Sequence, residues 1–282
     1  MQTAFQKDRD FLDAVRRGIK SGGCHVWWLG QSGFLIVKAG RGLVFDPYLS
    51  DSLTKKYAGT NKPHERLTER VVDPAELGAL GILDVISSTH NHTDHLDAET
   101  LLPLLAANPQ ARLIIPAANR EFVIGRLGGG IESQLVEFDA GISKEVCGLC
   151  IQGVAAAHNS IEKDGEGRCK FLGYVVRWGR YTFYHSGDTL RFDGMAELLR
   201  PLSVDLAFLP INGNRPERGV AGNLDGEEAA QLAHDMGAKC VVPCHFGMFA
   251  FNTESPSGFI SECERLGQNH RLLRNGEGME IS

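Results

Sequence analysis

The stretch SSTHNHTDHLD, residues 87–97, sets His90, His92, Asp94 and His95 within six positions of one another. On an extended segment His90, His92 and Asp94 would share one side and His95 would take the other, because side chains alternate along a strand. The four converge only where the chain turns. The flanking sequence supplies such a turn. ILDVISSTH reads as a buried strand ending at about Ser88, and DAETLLPLLAAN as a helix starting near Asp97. Strand-to-helix loops are where α/β scaffolds carry their functional groups. Neutral imidazole together with carboxylate suits Zn²⁺, Mn²⁺ or Fe²⁺.

A single histidine-rich loop can also be plain surface. What separates the two readings is whether further ligand residues stand at other strand ends. GVAAAHNS closes an apolar run at His158, FYHSGDT closes one at Asp188, and AKCVVPCHF closes one at His245. Each alone reads as a core histidine or a turn aspartate. Three of them at three successive strand ends point to a shared centre.

The rest of the pattern shows how such ends can meet. Residues 5–19 have Phe5, Phe11, Leu12, Val15 and Ile19 at helical spacing. HVWWLGQ, GFLIVKAG and RGLVFDPYL are apolar runs broken by Gly, which predicts an antiparallel meander. From about residue 83 strands and helices alternate, with ARLIIP a strand and AANREFVIGRL a helix. A strand-rich block follows (SQLVEF, GLCIQGVAAAH, KFLGYVVRW, RYTFYHSGD), with a hairpin turn at WGR. Helix–strand pairs then return from FDGMAELLRPL to SGFISECERLG. Two sheets packed face to face with helices outside accommodate this order in one α/β domain spanning residues 1–282, since no repeat or linker divides the chain.

Composition narrows the function. A net charge of −6 gives no footprint for nucleic acid. The apolar runs are too short for a membrane span. The charged N-terminus lacks a signal-peptide pattern, and seven irregularly spaced cysteines read as reduced thiols, so a cytoplasmic location is expected. Cys147 and Cys150 form a CGLC pair with no second CxxC, which reads as ordinary thiols in a hairpin. Self-association into a homo-oligomer is left open. One local exception is SLTKKYAGTNKPHERLTER, residues 52–70, whose Lys55, Lys56, Lys62, Arg66 and Arg70 outnumber its acids. It is a solvated loop unless it borders the site, where it would meet an anionic substrate.

HxHxDH followed by the isolated His158, Asp188 and His245 resembles the metallo-β-lactamase superfamily over nearly the whole chain. The resemblance implies a four-layer αββα sandwich and two divalent metal ions, zinc or manganese, with iron a further option. It places His90, His92 and His158 at one metal and Asp94, His95 and His245 at the other, with Asp188 bridging. Such a pair shares a water, lowers its pKa and makes the hydroxide that attacks the substrate. Asp94 would orient that water and move its proton.

VWWLGQSGFLIV, FYHSGDTLRF and LPINGNRPERG further resemble the L-ascorbate-6-phosphate lactonase-like metal-dependent hydrolases, a group related to a phospholipase D. Those lactonases are longer and carry an aspartate where this chain has His158. The resemblance implies hydrolysis of a small, anionic lactone or phosphoester. The alternatives are a lipid or nucleic-acid phosphodiesterase, for which FGMFAFNT (246–253) would line an apolar entrance, and a mononuclear iron dioxygenase. In VFDPYLSDS, Asp46 is either a turn cap before Pro47 or an acceptor behind a metal-bound histidine. His185 is either core or a support of the site. Asn212, Asn214, Arg215 and Arg218 fall in a loop of the kind that rims such clefts, solvated by default but able to contact phosphate or carboxylate.

Overall fold

Most of the apolar runs identified above are buried on both sides in the computed structural model, which describes residues 1–281; the runs around 135–138 and 149–155 are only partly so. The meander forms from β1 (Cys24–Gly30), β2 (Gly33–Lys38) and β3 (Arg41–Phe45), all antiparallel. β4 (Leu83–Ser87), β5 (Arg112–Pro116) and β6 (Leu135–Phe138) extend it as parallel neighbours. A second sheet starts with β7 (Ser143–Val146), β8 (Leu149–Ala155), β9 (Leu172–Trp178) and β10 (Tyr181–His185), joined antiparallel. β11 (Leu206–Pro210) and β12 (Cys240–Cys244) complete it in parallel. The last strand, β13 (Gly278–Ile281), returns to pair antiparallel with β1.

Side-chain alternation explains the layers. In β2, Phe34 and Ile36 enter the cluster between the sheets, while Leu35 and Val37 enter the cluster under the outer helices. A sheet covered on both faces has continuous apolar strands, as GFLIVK does. The helices Asp8–Ser21, Ala98–Ala107 and Arg120–Leu127 cover the first sheet; Met195–Leu199, Gly226–Asp235 and Ser257–Leu266 cover the second. This is the αββα sandwich. No described helix is long and apolar enough to cross a membrane.

Several local expectations shift. The first helix starts at Asp8 rather than residue 5, so Phe5 lies outside it, exposed beneath the Arg274 guanidinium at 3.5 Å. Short helices, Ser52–Lys56 and Pro74–Gly78, occupy chain that lacks helical periodicity. The second is set by Asp73, whose side chain accepts from the Ala75 amide at 2.9 Å. Cys147 sits in the β7–β8 hairpin turn, all seven cysteines are free, and Cys244 packs in the inter-sheet core.

Candidate metal centre

Loops at one end of the two sheets carry the ligand-type residues, and local sequence shapes each of them. After β4 the chain turns: Ser88 Oγ donates to the His90 carbonyl at 2.9 Å, and the His95 and Leu96 amides return to the His92 carbonyl. Buried Leu96 anchors the loop, and Arg126 braces it by donating to the Asn91 and Leu96 carbonyls at 2.7 and 3.2 Å. The turn cancels strand alternation, so the His90 and His95 rings come within 4.1 Å. After β10, Gly187 has φ 63°, and a β-carbon there would lie 2.8 Å from Thr89 and from the Leu172 carbonyl. Only glycine fits, and it delivers Asp188 to the centre.

The donor atoms of His90, His92 and His158 lie within 4.8 Å of one another, as do those of Asp94, His95 and His245. Asp188 stands between the two groups. Its Oδ1 is 3.3 Å from His95 Nε2, and its Oδ2 is 3.3 Å from His245 Nε2 and 3.7 Å from His158 Nε2. The structure thus brings all seven residues together.

The donor set fits a cation. His90 Nε2, His95 Nε2 and Asp188 Oδ1 are buried without a hydrogen-bond partner. Buried polar atoms almost always have partners, and three without a hydrogen bond at one centre suit a metal ion, which would take the place of the proton between His95 Nε2 and Asp188. The outer ring nitrogens are held in place. His95 Nδ1 lies 2.6 Å from Asp46 Oδ2, His158 Nδ1 donates to the Gly222 carbonyl at 2.8 Å, and His90 Nδ1 lies 3.1 Å from Thr89 Oγ1. Such contacts orient imidazoles with Nε2 inward.

Asp46 therefore sits behind His95 rather than acting only as a turn cap. It also accepts from Ser87 Oγ at 2.6 Å, the Thr89 amide at 3.1 Å and the Thr89 hydroxyl. Burial works to raise its pKa, but the hydrogen bond and charge of His95 outweigh it and the net shift is downward. His185 lies between the sheets, stacked on Phe45, and hydrogen-bonds to none of the seven side chains. Its Nε2–H donates to the Ser32 carbonyl at 2.8 Å and its Nδ1 accepts from the Gly187 amide at 3.1 Å, which steadies the turn into Asp188.

Protonation divides the centre. Burial, reinforced by His95 and His92, holds His90 well below the ordinary histidine value. His92 is open to the cleft on one edge, yet burial of the rest of its ring and His158 push it down to about 4. Burial also works to lower His95 and His245, but Asp188 and Asp94 reverse the sign. His95 rises well above its usual value and His245 to about 9. Burial works to raise Asp94 and Asp188, and the facing histidines hold both well below the carboxylate range.

Five of the seven, His92, Asp94, His158, Asp188 and His245, line a cleft of about 440 Å³, while His90 and His95 are fully buried and do not line it. Of the five cations in the basic 52–70 segment, Lys56 and Lys62 alone line it. Lys55 pairs with Glu99 at 2.9 Å, Arg70 with Asp73 at 3.4 Å, and Arg66 is tucked against the Ser50 carbonyl at 2.7 Å. Of the expected rim residues, none of Asn212, Asn214, Arg215 and Arg218 lines the cleft. Arg218 is tied to the Asn212 and Thr253 carbonyls and to Glu254, Arg215 pairs with Glu254 at 3.1 Å, and buried Asn212 bonds Asn252 and Asn223. Asn214 is exposed. Their loop lends the cleft Val220 and Ala221 instead.

Sequence reasoning missed Gln31, Arg126, Tyr57 and His64; His64 stacks on Tyr57 at 4.6 Å, and Phe249 and Phe251 of the FGMFAFNT stretch complete that wall. Of nine non-glycine residues with positive φ, Gln31, Asp46, Asn159, His245 and Asn252 line or adjoin the centre. Backbone strain gathers at functional sites.

A family profile described as the beta-lactamase superfamily domain matches residues 41–246. The chain belongs to the metallo-β-lactamase superfamily. Within it, a UPF0173 metal-dependent hydrolase of Rubrobacter xylanophilus is 30% identical over 253 residues, covering 87% of this chain and 91% of that protein. One from Metallosphaera sedula is 26% identical over 256 residues, covering 90% and 98%. The solved structure of Igni18, described as a novel metallo hydrolase from Ignicoccus hospitalis, superposes with TM-score 0.65 at 21% identity, covering 92% and 98%. This superfamily member matches these relatives across most of its length.

Proposed function

We propose that this chain is a metal-dependent hydrolase of a small, anionic lactone or phosphoester. One observation carries the reading: seven ligand-type side chains, three with buried polar atoms lacking a hydrogen-bond partner, cluster together, and five of them line a cleft that Lys56 and Lys62 also line. His90, His92 and His158 would hold one divalent ion, and Asp94, His95 and His245 a second, with Asp188 shared. Zinc or manganese suits this donor set, and iron is the third candidate. When bound, two such ions polarise the substrate oxygen and lower the pKa of the attacking water.

The chain's own residues do the rest. Asp94, ionised and facing the cleft, orients the water and accepts its proton. Asp46 keeps the His95 ring turned so that Nε2 faces inward. Lys56 and Lys62 meet the substrate's anionic group, and Phe249 and Phe251 exclude water from its other side. That apolar wall favours a second reading, a phosphodiester with an apolar arm.

The test is hydrolysis by the manganese-reconstituted protein of L-ascorbate-6-phosphate beside a generic phosphodiester, with His90→Ala as control. Lactone opening lost in the control supports the lactonase-like reading. Diester cleavage alone supports the second. Turnover that survives in His90→Ala contradicts both.

A further inference from the structure

Gln31 occupies the tight turn between β1 and β2, with φ 49° and only 4% of its surface exposed. Glycine is the default residue for such a backbone, and Gly30 beside it already takes φ 92°. A buried glutamine in left-handed conformation needs a reason, and its contacts supply one. Its Nε2 donates to Asp94 Oδ2 at 2.9 Å and stands 3.1 Å from His245 Nε2. The amide orientation follows from the partner, since an ionised carboxylate only accepts. Its backbone carbonyl accepts from the His245 amide at 2.9 Å and from Trp28 Nε1 at 3.0 Å.

We propose that Gln31 is a positioning residue for the Asp94–His95–His245 half of the centre, gripping Asp94 through its side chain and His245 through its main chain. Asp94 and His245 arrive on loops far apart in sequence, after β4 and β12, and Gln31 hydrogen-bonds both. The amide hydrogen occupies one lone-pair direction of Asp94 Oδ2 and fixes the carboxylate plane. Without it, Asp94 is free to swing onto His245, whose Nε2 is already 3.3 Å away, and to close the donor set on itself. The side chain of Gln31 bonds only Asp94 and His245 among the seven, whereas His90 and His158 are held by Thr89 and the Gly222 carbonyl, so the effect of Gln31 is one-sided.

The inference rests on the two-ion reading above, and the test separates their failures. Gln31→Gly keeps the left-handed turn and the carbonyl that receives the His245 amide, and removes only the carboxamide. Gln31→Ala removes the carboxamide but keeps the backbone strain. The full-length metal-free chain is titrated with Mn²⁺ alone by calorimetry, and thermal unfolding of the metal-free form is recorded alongside. The expected result is two equivalents in the wild type. In both variants the first equivalent is unchanged and the second is weakened about tenfold or more, the scale of losing a group that orients a ligand. Metal-free Gln31→Gly should melt no lower than wild type. Unchanged second-equivalent affinity, equal weakening of both equivalents, or weakening only in a variant that melts lower would overturn the role of Gln31 alone. A wild type that takes up no second equivalent would overturn both readings.

Discussion

The two halves of the centre differ more in their protons than in their shapes. His90, His92 and His158 face one another with no carboxylate of their own, and burial keeps His90 and His92 neutral at physiological pH. His95 and His245 face Asp94 and Asp188, which raise His95 well above the ordinary histidine value and His245 to about 9. A cation entering the first half finds free imidazole lone pairs. In the second half it must displace protons that bind those same nitrogens. Asp188 touches both sides, which makes it the point where they depend on one another.

The largest effect should come from cutting that link. Asp188→Ala is expected to reduce hydrolysis to background and lower the metal content from two ions per chain, with the far-ultraviolet circular dichroism unchanged. Metal analysis and turnover on one preparation check this. An active variant would mean the halves work separately.

Next in size is the support behind His95. Asp46→Ala leaves His95 Nδ1 and the Ser87 and Thr89 donors without their shared acceptor. Affinity for the second ion should fall about 10–100-fold, and the metal-free fold should lose about 1–3 kcal/mol. Asp46→Asn keeps one acceptor oxygen and should lie between it and wild type. If both ions weaken equally, Asp46 serves the whole loop rather than one half.

The proton asymmetry gives the metal-free protein a stability maximum. His90 and His92 have folded pKa values below the unfolded value of 6.5, so their stabilising contribution is present above pH 6.5 and is lost as pH falls toward about 4. His245 has a raised folded pKa, so its contribution is full below pH 6.5 and is lost as pH rises through about 9. Melting temperature against pH should peak near neutrality, and His92→Gln should flatten the acid limb only. A monotonic profile would remove the distinction between the halves.

The smallest effects belong to the rim. Lys56→Ala and Lys62→Ala should raise KM for an anionic substrate about threefold, in keeping with exposed charges, and added salt should erase the difference. Arg218→Ala should leave KM unmoved, because Glu254 and two carbonyls already hold that guanidinium.

These contrasts track what sequence alone could reveal. The layers and most strands were legible because both sheets are covered on both faces, and so GFLIVK and LAFLP read as unbroken apolar runs. His90 to His95 stood out by density, and His158, Asp188 and His245 by their places at strand ends. Gln31 carried no such signal: its role depends on a positive φ and on two loops distant in sequence. The surroundings of the 212–218 loop were not legible because arginines in a loop show their charge but not their partners, and Arg215 and Arg218 are engaged by Glu254. β13 was missed because GMEI is half-exposed at a sheet edge and has little apolar pattern.

The most direct test is anomalous diffraction from crystals soaked in Mn²⁺. Two peaks are expected, one among His90, His92 and His158, the other among Asp94, His95 and His245, with Asp188 touching both. One peak, or none within these seven side chains, would contradict the two-ion centre.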